Sequence, residues 1–260
     1  MNGSGDVVAF PQGDKRQIVS YGGGGFSMES GNPLLDDYVL GLTGTDRPKV
    51  CFLPTASGDA DHYLVRFYRT FAASGCIPSH LSLFRRERGA EDMRAFLLDQ
   101  DLIYVGGGSV ISMLAVWRAH GVDRILRECW ESGVVLCGLS AGSLCWFSEG
   151  VTSFHGEVRS YRGLGLLPWS NCVHYGDDAG RREAYHEYLV RGMCPGYAAA
   201  DGAALHFAGP RMVSAIASRP NAQAWCVGDG GEQVVETPLP IRYLGETPAP
   251  EGGTDLSAVA

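Results

Sequence analysis

The chain has no basic excess, no long apolar run and no paired-cysteine motif, and each absence removes a class of function. Of 260 residues, 21 are Lys or Arg and 29 are Asp or Glu, a formal charge of −8, whereas a nucleic-acid partner calls for a basic stripe. The basic cluster of note, Arg85-Arg86-Glu87-Arg88, is short, interrupted by an acid, and reads as a solvated loop. The longest uncharged stretch, 132–148, is broken by glycines and serines and is too short and polar to span a membrane. Residues 1–17 carry Asp6, Asp14, Lys15 and Arg16 without the apolar run of a signal peptide, so a cytoplasmic location is expected. Eight cysteines are present but no C-x-x-C pair, which leaves zinc and redox motifs unsupported. Buried free thiols in a reducing compartment are expected, with no metal and no cofactor.

What is present is an alternation of strand and helix patterns. Apolar runs at 18–21, 50–53, 80–84, 102–105 and 134–139 read as strands, and 63–74, 90–98, 109–120 and 123–132 between them read as helices. This is a doubly wound α/β pattern with a parallel sheet, in one domain over 1–260, with residues 1–16 and 247–260 as flexible ends. The C-terminal third changes character. Runs at 212–217, 223–227 and 233–236 alternate with Gly and Pro turns and read as a small antiparallel extension of the sheet.

In such sheets ligands gather at the carboxyl ends of the strands. Three loops there stand out: Gly22-Gly23-Gly24-Gly25, Gly106-Gly107-Gly108-Ser109 and Gly138-Leu139-Ser140-Ala141-Gly142. The first lacks the third glycine of a dinucleotide fingerprint, because Ser27 holds that place. The second presents backbone N–H groups with no side chains in the way, as an oxyanion hole or as a plain tight turn. In the third, Ser140 sits on a strand-to-helix turn that flanking glycines permit, the pattern of a nucleophile elbow or of a small-residue packing turn.

A serine hydroxyl needs a base. Of seven histidines His174 is the best placed, in the short run Asn171-Cys172-Val173-His174-Tyr175, which reads as the next strand or its end. Downstream, Asp178, Arg181 and Arg182 form a candidate patch for an aspartyl substrate, since an Arg fork pairs with a carboxylate and an Asp can hold an α-ammonium. A solvated helix start is the alternative. Asp201 is either a pocket acid or a turn former.

Tyr104-Val105-Gly106-Gly107-Gly108, Gly138-Leu139-Ser140-Ala141-Gly142, Gly163-Leu164-Gly165-Leu166-Leu167 and Val173-His174-Tyr175, in that order and spacing, resemble the peptidase E family of serine peptidases, the aspartyl dipeptidases. The resemblance runs from about Ile18 to about Leu244. It implies a three-layer α/β/α sandwich with a mostly parallel sheet, like class I glutamine amidotransferases. It also implies Ser140 as nucleophile, His174 as base, and the amides of Ala141 and of Gly107 or Gly108 as oxyanion hole. The implied substrate is a small peptide with an acidic residue, as for the related cyanophycinase, which cleaves β-aspartyl-arginine dipeptides. A homodimer is compatible with the chain.

Two positions depart from the family pattern. Ser109-Val110 stands where Asn and Thr are common, and Ser153-Phe154-His155 where an Asp is common. The nearest carboxylate to take the third triad place is Glu157. A Ser–His dyad, an inactive family member that binds an acidic peptide or metabolite, and an acyl transferase using the same Ser–His pair all stay open.

Overall fold

The computed structural model describes residues 14–84, 90–176, 178–231 and 233–246. The cluster 85–88 and the tails 1–13 and 247–260 lie outside the described residues. Along the chain run β1 (Gln17–Tyr21), α1 (Leu34–Leu42), β2 (Lys49–Leu53), α2 (Asp61–Ala73), β3 (Ile77–His80), α3 (Ala90–Leu98), β4 (Leu102–Val105), α4 (Val110–His120), α5 (Val122–Ser132), β5 (Val135–Leu139) and α6 (Ala141–Leu144). There follow β6 (Phe147–Phe154), β7 (Glu157–Arg162), β8 (Leu167–Val173), α7 (Ala179–Val190), β9 (Gly196–Ala199), β10 (Ala203–Ala208), β11 (Arg211–Ala217), β12 (Ala224–Asp229), β13 (Val234–Pro238) and β14 (Ile241–Tyr243).

These strands divide between two mixed sheets. The first has the order β14-β11-β10-β1-β5-β4-β2-β3 and is parallel from β1 to β3, with β10 antiparallel to both β1 and β11. Its central strands are apolar without a break because both faces are covered. Val19, Tyr21, Val50, Phe52, Leu102, Tyr104 and Cys137 face α1 and α2, while Ile18, Cys51, Leu53, Ile103, Val105 and Leu136 face α3 to α6. That second core continues into Phe147, Tyr161, Leu167 and Val173, so the six-stranded sheet β13-β12-β9-β8-β6-β7 shares it.

Two expectations are corrected. The C-terminal runs are not one antiparallel extension: β11 pairs in the first sheet, whereas β12 and β13 belong to the second, with β8, whose end the run at 171–175 had marked, and with β6, β7 and β9, for which no strand was expected. The strand expected at 80–84 ends at His80. Leu81 and Leu83 are still buried, but Asp59 takes over the backbone there, accepting from the amides of Leu83 and Phe84 and from the Ser82 hydroxyl.

The cysteines are eight free thiols, six of them buried. Among the described residues no helix is long and apolar enough to cross a membrane. His206, buried between Tyr38 and Gln17, is pushed down to about 4 by desolvation and by Arg242, and serves as a neutral hydrogen-bonding bridge.

Asp36, on α1, is 2% exposed, and among the described residues neither carboxyl oxygen has a hydrogen-bond partner of good geometry. Burial pushes its pKa up to about 7. The unfolded chain therefore releases this proton at lower pH than the folded one, and stability falls as pH rises from about 4 to about 7. Relative to wild type, Asp36→Asn should gain on the order of 2–4 kcal/mol of unfolding free energy between about pH 4 and pH 8, measured by urea denaturation. A difference that does not vary with pH would show that Asp36 ionises as it does in water.

Candidate active site

Strand β5 ends at Leu139 and α6 begins at Ala141, so Ser140 must turn the chain in a single residue. It does so at φ 52 and ψ −112, a left-handed conformation that costs a non-glycine residue about 1–3 kcal/mol. The turn is pinned from three sides. The Ser140 amide donates to the Tyr21 carbonyl, and its own carbonyl accepts from Ser143 and Leu144. A Cβ on Gly142 would lie 2.2 Å from the Val105 carbonyl oxygen, so only glycine lets the elbow pack against β4. Behind it Ser143 Oγ meets Ser20 Oγ at 2.8 Å and donates to Asn171 Oδ1 at 3.2 Å, a buried polar link between the two sheets.

His174 follows β8, and Asp201 lies just beyond the end of β9, the parallel neighbour of β8. The His174 Nδ1–H donates to Asp201 Oδ1 at 2.5 Å, which leaves Nε2 to accept from the Ser140 hydroxyl at 3.0 Å. His174, like Ser140, has a positive φ, 55. Its amide donates to the Gly22 carbonyl, and the Gly202 amide to the Gly23 carbonyl. A Cβ on Gly23 would sit 2.1 Å from Asp201 Oδ1. The glycine run after β1 is therefore the bed on which the His174 and Asp201 loops rest.

Glu157 does not take the third place. It lies at the start of β7, exposed, with its carboxylate on Arg159. The carboxylate on His174 is that of Asp201, the candidate acid at the end of a run of alanines.

The two expected glycine amides differ in what they meet. The Gly107 N–H donates to the Tyr63 hydroxyl at 3.1 Å, while Gly108, at φ 140, lies so close to the Ala56 carbonyl that a Cβ would come within 2.1 Å. Both line a pocket of about 290 Å³ that holds Ser140 and His174 and is closed on its far wall by Ser27, His62, Tyr63 and Arg66. That far wall was not foreseen. Its residues come from α2 and from the turn after β1, and no local motif marks them.

The expected substrate clamp is already occupied. Arg182 grips both oxygens of Glu236, which also accepts from Tyr175 and His186. Against the desolvation that would raise it, these three partners hold the Glu236 carboxyl down to about 2. Asp178 caps α7 by accepting from the Arg181 amide, and Arg181 reaches Asp178, Ser153 and the Val173 carbonyl. Asp178, Arg181 and Arg182 thus brace the His174 loop from behind.

A serine, an imidazole and a carboxylate in one hydrogen-bonded line can transfer an acyl group, and the relatives of this chain are peptidases. A Bacillus subtilis protein named Uncharacterized peptidase YgaJ is 47% identical over 231 residues, which cover 88% of this chain and 100% of that protein. Peptidase E of Streptomyces coelicolor is 28% identical over 176 residues, 64% of this chain and 70% of its own. The solved structure of a peptidase from an acI-B1 Actinobacterium superposes with a TM-score of 0.64 at 17% identity, over 86% of this chain and 93% of that one, which speaks to the fold. Peptidase family S51 matches residues 18–214, a span that holds Ser140, His174 and Asp201, and the chain belongs to that family.

Proposed function

We propose that this peptidase is a serine exopeptidase that hydrolyses short peptides with an N-terminal aspartyl or other acidic residue through an acyl-enzyme. The observation that carries the reading is the continuous line Ser140–His174–Asp201. His174 Nε2 takes the Ser140 proton as Oγ attacks the peptide carbonyl, and Asp201 holds the imidazole in the tautomer that leaves Nε2 free. The amides of Gly108 and Ala141 receive the negative charge on the carbonyl oxygen. The imidazolium then protonates the leaving amine, and a water activated by the same His174 releases the acid. The eight unpaired thiols fit a reducing, cytoplasmic setting.

Ser140→Ala should abolish release of aspartate from Asp-X dipeptides and labelling by a fluorophosphonate, with the melting temperature retained. Wild-type protein that neither cleaves any acidic dipeptide in a mass-spectrometric panel nor takes up the label would point to an inert binding protein. Asp201→Asn should lower kcat by roughly three to four orders of magnitude, because the amide favours the wrong histidine tautomer. Glu157→Gln should leave kcat within about twofold, and equal losses in the two variants would reverse the assignment.

Arg182→Ala removes the cation from Glu236. Any fall in kcat/KM should be equal for Asp-X and Asn-X peptides, since the effect passes through the His174 loop. A loss confined to Asp-X would restore Arg182 as a substrate contact.

A further inference from the structure

Helix α2 is two-faced. Tyr63, Phe67 and Phe71 are buried in an aromatic cluster with Phe26, Phe52 and Tyr104, and this anchors the helix on the sheet. The opposite face puts His62, Arg66 and Arg69 along a groove of about 940 Å³, which shares Ser27, Met28, His62 and Arg66 with the pocket at Ser140. Arg66 Nη1 donates to the Ser27 carbonyl at 2.5 Å, which steadies the guanidinium at the junction of pocket and groove. Among the described residues, no carboxylate pairs with Arg66 or Arg69, whereas Arg181, Arg182 and Arg219 each hold one.

In a chain of net charge −8, an arginine that has no counter-ion among the described residues and lines the pocket of Ser140 is set out for an anion that arrives from outside. Guanidinium presents paired N–H donors that match a carboxylate, and a partly enclosed pocket strengthens the pairing. We propose that Arg66 is the residue that reads the substrate's carboxylate, with Arg69 one turn on extending the positive wall of the groove. This rests on reading the pocket as a peptidase site. It moves acid recognition from the α7 arginines to α2.

A short acidic peptide offers two carboxylates, the side chain of its first residue and its C-terminus. The test measures binding, so that it does not depend on turnover. In a Ser140→Ala background, calorimetry compares Asp-Leu, Asn-Leu and their C-terminal amides on Arg66, Arg66→Ala and Arg66→Lys proteins. Arg66→Ala should weaken Asp-Leu by about tenfold to a hundredfold, with Arg66→Lys recovering part of the loss. If Asn-Leu is unaffected, the carboxylate read is the side chain; if Asn-Leu falls equally and the amides do not, it is the C-terminus. Either outcome supports the assignment. Equal affinity of all three proteins for Asp-Leu, or no binding of any peptide at millimolar concentration, overturns it. The hydrolase reading is judged apart, by fluorophosphonate labelling of Ser140 in Arg66→Ala protein. Label with unchanged peptide affinity would sink Arg66 and keep the enzyme. The exposed position of Arg66 makes a folding defect separable by its melting temperature.

Discussion

Gly22 and Gly23 run so close to Ala199, Ala200 and Asp201 that no side chain fits between them, and the geometry of the site depends on this contact. Ser140 and the glycine amides stand at the carboxyl ends of β5 and β4 in the first sheet. His174 and Asp201 stand at the ends of β8 and β9 in the second. Neither sheet contains a working set. Docking the second sheet against the end of β1 brings the His174 ring into reach of Ser140, and a single methyl group at Gly23 would push Asp201 away. The isolated parallel bridge between Gly23 and Asp201 is the visible trace of that docking.

Holding Ser140 and His174 in left-handed conformations costs free energy that their own bonds do not return. The surroundings supply it. Packed apolar side chains lie on both faces of the first sheet, and the Ser20–Ser143–Asn171 link crosses behind the elbow. On the other side, Glu236 gathers Tyr175, Arg182 and His186 immediately behind the His174 loop. Both strained residues are therefore over-determined by contacts outside the site, as a preorganised centre requires.

What the sequence made legible was whatever is written in contiguous residues. The runs at β1, β2, β4 and β5 stand out because a parallel strand covered on both faces is apolar throughout, and the elbow is visible because its two glycines flank one serine. His174 was marked by its place at a strand end, and the structure brings it within 3.0 Å of Ser140. The second sheet was harder to read. Its β7 is mostly exposed and buries only Tyr161, and the alanines of β9 carry almost no strand signal, so Asp201 stood after a run with no evident secondary structure. Long-range pairing was illegible altogether. Arg182 looked free for a substrate because its carboxylate, Glu236, lies 54 residues away on β13. Arg66 looked like any surface arginine because only the fold shows that it lines the pocket of Ser140.

The division of the proposed triad between two sheets also bears on how such a chain is made. Synthesis delivers the elbow and its amides first, then the histidine, and the carboxylate last, after most of the second sheet has emerged. A nascent chain ending anywhere before β9 has a serine but no oriented base, so its hydroxyl is no more reactive than any other alcohol. The imidazole reaches the Ser140 hydroxyl only when β8 and β9 close against the end of β1, through contacts between residues far apart in sequence. A chain cut before Asp201 thus carries the elbow without the carboxylate that orients its imidazole, and the site exists only as a product of contacts between segments made far apart in synthesis.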